Sequence, residues 1–256
     1  MDAIIYGTLG SLVAGSMTAL GALPVFLRKD VPEKLQDTLL GFAAGVMLSA
    51  SFFSLIIPSL ESAAEMYGEG VIPAAIAVAG ILVGAGFIAL INETAPHQHF
   101  IGGHEGPSAS LQRIWLFVIA ITIHNFPEGL AVGVGFGTDD MAHGVSLATG
   151  IGLQNMPEGL AVAVALISEG YTRSRAFLIA ALTGLVEPIG GILGATLVSI
   201  SQPLLPWGLV FAAGAMLYVI SHEIIPETHR RGHQNLATAG LMIGLVLMLF
   251  LDVWLG

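Results

Sequence analysis

Along this chain, apolar residues run in long blocks and polar residues collect in the short gaps between them. A helix that crosses a bilayer needs about 20 consecutive, mostly apolar residues. Eight blocks reach that length, approximately 3–27, 36–60, 71–92, 113–136, 142–168, 174–200, 206–226 and 235–255. The pattern predicts an all-α polytopic membrane protein with eight transmembrane helices, residues 1–256 forming one integral membrane domain. Met1-Asp2-Ala3-Ile4 lacks the basic stretch of a cleaved signal and reads as the beginning of the first helix. Glycines recur four apart at Gly41 and Gly45, Gly80 and Gly84, and Gly190 and Gly194. Small residues at this spacing let helix backbones approach closely in lipid, and tight packing is the plain reading of most of them.

Composition agrees with the pattern. The chain is 55% hydrophobic and 10% charged, with a mean hydropathy of +0.84, where a soluble domain carries about 25% charged residues. That is too little charge to coat a water-facing surface of this size. The net charge of −10 argues against a nucleic-acid partner, which requires a basic patch. Cysteine is absent, which removes disulfides and thiolate metal sites. Arg28, Lys29, Lys34, Arg113, Arg173, Arg175, Arg230 and Arg231 all fall in or beside the connections after helices 1, 3, 5 and 7. The positive-inside rule puts those connections in the cytoplasm and both termini outside, in a bacterial inner membrane. Glu61, Glu65, Glu69, Asp139, Asp140 and Asp252 collect on the opposite side.

Two central blocks carry one polar motif. His124-Asn125-Phe126-Pro127-Glu128-Gly129-Leu130-Ala131-Val132 in the fourth returns as Gln154-Asn155-Met156-Pro157-Glu158-Gly159-Leu160-Ala161-Val162 in the fifth. Residues 124–134 match 154–164 at eight of eleven positions. The short turn at Gly137-Thr138-Asp139-Asp140 makes the two helices antiparallel, so the copies are inverted and their carboxylates are expected to meet near the midplane. A weaker echo joins helices 2 and 7. Phe42-Ala43-Ala44-Gly45-Val46-Met47-Leu48 precedes Ile56-Ile57-Pro58, and Phe211-Ala212-Ala213-Gly214-Ala215-Met216-Leu217 precedes Ile224-Ile225-Pro226. Helices 1–3 and 6–8 are therefore expected to form inverted repeats around helices 4 and 5, an arrangement that in transporters puts the binding site at the repeat interface.

Carboxylates and amides at this depth are costly, and by default they mark an ion or substrate path. Residues three and four apart share a helix face, so His124, Asn125 and Glu128 converge, and Gln154, Asn155 and Glu158 repeat the arrangement. Pro127 and Pro157 have no N–H, which frees the carbonyls of Ile123 and Leu153 to bend the helix or face a cation. Glu187 in the sixth block adds a third buried acid. Each carboxylate costs about 2.5–3.5 kcal/mol at the membrane centre, and three together repel. A divalent cation, or protons, relieves both penalties. One imidazole among carboxylates suits zinc, iron or manganese better than sodium or magnesium. Two rival readings are interhelical hydrogen bonding alone and a path for protons alone.

These residues resemble the ZIP family of divalent metal transporters (the Zrt-, Irt-like proteins), and within it the bacterial GufA-type branch. The likeness covers essentially the whole chain, and its most specific part is the pair of motifs above. The resemblance implies a two-metal centre between helices 4 and 5. His124, Glu128, Gln154, Glu158 and Glu187 would surround the first ion. Asn125, Glu128, Asn155 and Glu158 would surround the second, with Glu128 and Glu158 bridging and Met47 close by. It also implies a ligand pair, His222 and Glu223, toward the cytoplasmic exit. Gln154 stands where many eukaryotic members have histidine, and Asn155 where some relatives have aspartate, which lowers the charge around the second ion.

His97, His99 and His104 sit with Glu93 and Glu105 in the connection after helix 3, where weak metal capture and a plain polar loop fit equally well. His229 and His233, beside Arg230 and Arg231, read as surface residues, because neighbouring cations disfavour a metal. Pro226 occupies the place where the zinc-protease motif requires its second histidine, and no phosphate-binding P-loop is present, so the chain does not read as an enzyme or as directly driven by ATP. The expected function is secondary transport of a divalent transition metal into the cytoplasm by alternating access. Zn²⁺ comes first, with Fe²⁺, Mn²⁺ and Cd²⁺ as possible substrates and up to two ions at the midplane site. The expected partners are the metal ions and membrane lipid, and a homodimer is possible. The alternatives are a membrane-embedded metal sensor or metalloenzyme that does not translocate, and a proton-coupled carrier.

Overall fold

The computed structural model describes residues 2–27, 31–94, 97–99, 103–105, 113–138 and 141–255; at 97–99, 103–105, 113, 114, 116 and 117 it describes the backbone alone. Among the described residues, eight helices are long and apolar enough to cross a membrane. They are span 1 (Asp2–Phe26), span 2 (Glu33–Tyr67), span 3 (Val71–Thr94), span 4 (Arg113–Gly135), span 5 (Met141–Ser168), span 6 (Arg173–Ile200), span 7 (Leu204–His229) and span 8 (Gln234–Leu255). The protein is an all-α, multi-pass membrane protein. A small antiparallel hairpin, His97–His99 paired with Gly103–Glu105, lies in the connection between spans 3 and 4. The side chains of His97, His99 and His104 lie outside the described residues.

Spans 2, 6 and 7 are interrupted. Span 2 winds as α-helix to Ser49, as π-helix over Ala50–Ile56 and as α-helix again from Ile57. Span 7 does the same, with its π segment at Ile220–Ile224. In each, a proline (Pro58 or Pro226) follows in the first turn of the next α-helix. Proline lacks the N–H that the carbonyl four residues earlier would have taken, so the ladder must rearrange just before it. Span 6 breaks at Leu185 and Val186, between the helices Arg173–Gly184 and Glu187–Ile200. Spans 4 and 5, by contrast, run on through Pro127 and Pro157 as continuous helices.

Spans 4 and 5 form the centre. The apolar windows of these two helices are 72% and 67% buried, against 28% in span 3 and 22% in span 8, which face lipid. The contacts fall into matched pairs: span 1 on 5 and span 6 on 4; span 2 on 8 and span 7 on 3; span 2 on 5 and span 7 on 4. Glycine makes several of these contacts backbone-to-backbone. A Cβ at Gly45 would collide with the backbone of Leu241, and one at Gly84 with that of Phe211. One seam is loose: an apolar crevice of 500 Å³ lies between spans 3 and 7 on one side and spans 4 and 6 on the other, walled by Val83, Leu130, Leu193, Trp207 and Phe211.

Candidate metal centre

The motif side chains turn into the protein. Asn125, Glu128, Gln154 and Asn155 are fully buried, and His124 and Glu158 nearly so. Glu187 opens the second half of span 6 and is also fully buried. The glycine after each motif acid explains how a third helix reaches them. Gly129 has no Cβ to hold off the backbone of Glu187, and Gly159 admits the backbone of Thr18 from span 1 in the same way.

Two amides of span 5 stitch the acids together. Gln154 Nε2 donates to Glu128 Oε2 at 2.6 Å and to Asn155 Oδ1 at 2.5 Å. Asn155 Nδ2 donates to Glu187 Oε1 at 2.7 Å and to the carbonyl of Ala14 in span 1 at 2.9 Å. Glu158 lies within electrostatic reach of Glu128, Glu187, His124 and Glu223. What remains is a set of buried oxygens with no hydrogen-bond partner among the described residues: Asn125 Oδ1, Glu128 Oε1, Gln154 Oε1, Glu158 Oε1 and Glu187 Oε2. The Asn125 amide nitrogen is in the same position. A buried polar group left unpaired costs about 1–3 kcal/mol, more when charged, so five in one neighbourhood call for a binding partner.

His124 is engaged by span 7. Its Nε2 contacts Glu223 Oε2 at 2.5 Å, and Glu223 Oε1 accepts from Asn92 Nδ2 at 3.0 Å. His124, Glu158 and Glu223 together line the inner end of a 230 Å³ cavity. From there the wall continues past Ala161 and Ala165 to Ser168, the end of span 5, and past Glu227 to Arg231. The cavity therefore joins the buried centre to the end of the bundle that carries the arginines.

The sequence pattern of the family described as "ZIP Zinc transporter" matches residues 98–252. The "Zinc transporter GufA" of Myxococcus xanthus is 48% identical over 251 residues, covering 98% of this chain and 99% of that protein. This chain belongs to the ZIP family. The "Zinc transporter ZIPB" of Bordetella bronchiseptica is 46% identical over 252 residues, 98% of this chain and 82% of that protein. The "Zinc transporter ZIP11" of Xenopus tropicalis is 36% identical over 333 residues, 99% of this chain and 98% of that protein. All three are named as transporters, not enzymes.

Not every residue singled out from the ZIP resemblance lies with the rest. His222 and Glu223 are adjacent, but Glu223 is buried against His124 while His222 is exposed and stacks on Tyr218 with ring centroids 5.0 Å apart. Adjacent helical residues point about 100° apart, and here the two side chains turn to different neighbours. Met47 is buried in the apolar core with Ile151 and Met216. Among the described residues, no three His, Asp or Glu side chains stand close enough to hold an ion by themselves. Amides separate the acids of this ZIP chain, and its one central imidazole is engaged by Glu223.

Two polar features of the ZIP chain carry no signal in its sequence. Asn92, near the end of span 3, is buried and supports Glu223. Its place beside Glu93 and Thr94 gives it the look of an ordinary helix end. Asp252, near the end of span 8, accepts from Ser54 Oγ at 2.8 Å and from Ser146 Oγ at 3.0 Å. Serines of apolar helices have no spacing that pairs them with a distant aspartate.

Proposed function

We propose that this protein is a secondary transporter that carries Zn²⁺ into the cytoplasm through the buried site between spans 4 and 5. The observation that carries this reading is the set of five unpaired buried oxygens on Asn125, Glu128, Gln154, Glu158 and Glu187. A dication is a partner that answers all of them and cancels the repulsion among three acids at once. An amide side chain has two ends, and which end faces a neighbour depends on what that neighbour is. Gln154 and Asn155 turn their nitrogens to Glu128 and Glu187. Rotation of either amide would exchange its nitrogen for its oxygen toward a cation. The shared acids Glu128 and Glu158 leave room for up to two ions, and Fe²⁺, Mn²⁺ and Cd²⁺ fit the same oxygen-rich set with one imidazole.

Two considerations support the direction. The cavity leads from His124 and Glu158 toward Arg231, on the side the positive-inside rule assigns to the cytoplasm. An inside-negative potential of about 100 mV contributes about 2.3 kcal/mol per charge, roughly 4.6 for a dication moved alone. The names of the relatives, zinc transporters, support the choice of substrate. The matched contacts among spans and the twin π segments of spans 2 and 7 support inverted repeats 1–3 and 6–8 around spans 4 and 5. Two halves related by a pseudo-two-fold rotation in the membrane plane can exchange the same two packings, which is the basis of an alternating-access cycle.

Uptake of Zn²⁺ into proteoliposomes, intact chain against Glu128→Ala, tests the proposal. Saturable uptake that the substitution abolishes is the expected result. Tight zinc binding with no uptake by the intact chain would overturn transport in favour of a sensor. Proton flux with no metal requirement would overturn the choice of substrate.

A further inference from the structure

The outer end of the cavity holds charged groups that the buried site does not use. Its described lining includes Glu33, Glu227 and a single cationic side chain, Arg231. Arg231 is held from behind: Nη1 donates to Gln36 Oε1 and to Asp37 Oδ1, each at 3.4 Å. Asp37 is buried, and its other oxygen meets His233 Nδ1 at 2.7 Å. His233 is therefore not the plain surface residue its sequence position suggested; it ties the connection before span 8 to the start of span 2. Glu227 also faces Arg230, at 3.8 Å.

The geometry points to Arg231 as a positioning residue for release, a tethered cation that offsets the acids of the cavity mouth so that a dication departs instead of being retained. The inference rests on reading the cavity as the cytoplasmic branch of the zinc path. Glu158, Glu223, Glu227 and Glu33 all line it, from the buried centre to the rim. Carboxylates in sequence make a good ladder down which to pass Zn²⁺, but the last rung must bind weakly. With Asp37 just behind the wall, an uncompensated rim would hold a dication by Coulomb attraction. A guanidinium keeps its charge at any physiological pH, and the buried Asp37 fixes where that charge sits. Because the rim is wet, the effect is screened by salt.

The test uses right-side-out membrane vesicles bearing the full chain, with Zn²⁺ uptake measured against rising free Zn²⁺ inside. Arg231→Gln leaves the mouth more acidic, so internal zinc should inhibit uptake at concentrations about 3- to 10-fold lower than in the wild type, the size expected for one charge acting on a dication across a high-dielectric gap. Arg231→Lys should keep the wild-type value. Asp37→Asn removes one negative charge behind the mouth while its amide oxygen can still accept from Arg231, and should move inhibition in the opposite direction, to higher internal zinc. The gap between Arg231→Gln and Asp37→Asn should narrow as salt is raised. Shifts in the same direction, no shift, or a gap indifferent to salt would each overturn the inference. If Arg231→Gln is lost from the membrane, Asp37→Asn decides alone: a higher inhibitory concentration supports the inference, and an equal or lower one overturns it. Wild-type vesicles that take up no zinc would overturn the transport reading, and this inference with it, which is a result distinct from uptake with unshifted inhibition.

Discussion

Gln154 is the residue on which the hydrogen bonding of the centre turns, since one NH₂ group serves both Glu128 and Asn155. Gln154→Leu removes both hydrogen bonds and leaves an acid and an amide buried without a donor, a cost of about 1–3 kcal/mol. The expected outcome is a lower thermal unfolding midpoint in the absence of metal. A midpoint equal to that of the wild type would mean that water or another side chain already serves these groups. Acid acts on the same atoms. Metal ligands must be deprotonated to bind, so protons compete with Zn²⁺ for Glu128, Glu158 and His124, and affinity falls as pH falls. Titration of the purified protein with Zn²⁺ at pH 7 and pH 5 should show weaker binding at pH 5, and equal affinities would contradict the carboxylate site. At this scale the sequence is informative wherever a motif repeats. Asn125, Glu128, Asn155 and Glu158 share a buried centre, as helical spacing requires. His222 and Glu223, adjacent in sequence, turn to different neighbours, His222 to Tyr218 and Glu223 to His124, a divergence that sequence adjacency does not reveal.

Among the elements, the close seating of span 6 on span 4 depends on Gly129. Gly129→Ala puts a methyl group where the backbone of Glu187 lies, and overpacking of this kind costs about 1–3 kcal/mol. Because the displaced residue is Glu187, loss of Zn²⁺ affinity should accompany loss of stability, measured by calorimetric titration and thermal unfolding of one preparation. Lowered stability with unchanged affinity would uncouple Glu187 from the ion. The π segments give a sharper test. Deleting Ser221, an exposed residue within Ile220–Ile224, closes the widened turn to α geometry and re-aims Glu223 within that turn away from His124, so uptake should be lost while the protein still reaches the membrane. None of these interruptions is visible in hydropathy, which measures how apolar a stretch is and is blind to whether a carbonyl bonds four or five residues ahead. The prolines signal them only in part: Pro58 and Pro226 come after altered turns, whereas Pro127 and Pro157 sit in continuous helices. The small hairpin after span 3 is equally illegible, since three-residue strands have no periodicity to read.

At the scale of the whole molecule, eight blocks of apolar sequence become eight helices, because block length and bilayer thickness are the same constraint. Orientation can be measured directly, since the chain has no cysteine of its own. A single cysteine at Ser168, on the rim of the cavity, should react with a membrane-impermeant thiol reagent from the cytoplasmic side only. One at Met66, an exposed residue at the far end of span 2, should react from the outer side only. The reverse pattern would invert the topology and with it the sense of transport. The oily crevice between the pair of spans 3 and 7 and the pair of spans 4 and 6 bears on mechanics. Interfaces resist shear where atoms interlock, and a gap forfeits those dispersion contacts. Glycine seams such as those of span 2 with 8 and span 3 with 7 interlock backbone on backbone, whereas across the crevice that interlocking is missing, which makes it the seam of least resistance to shear.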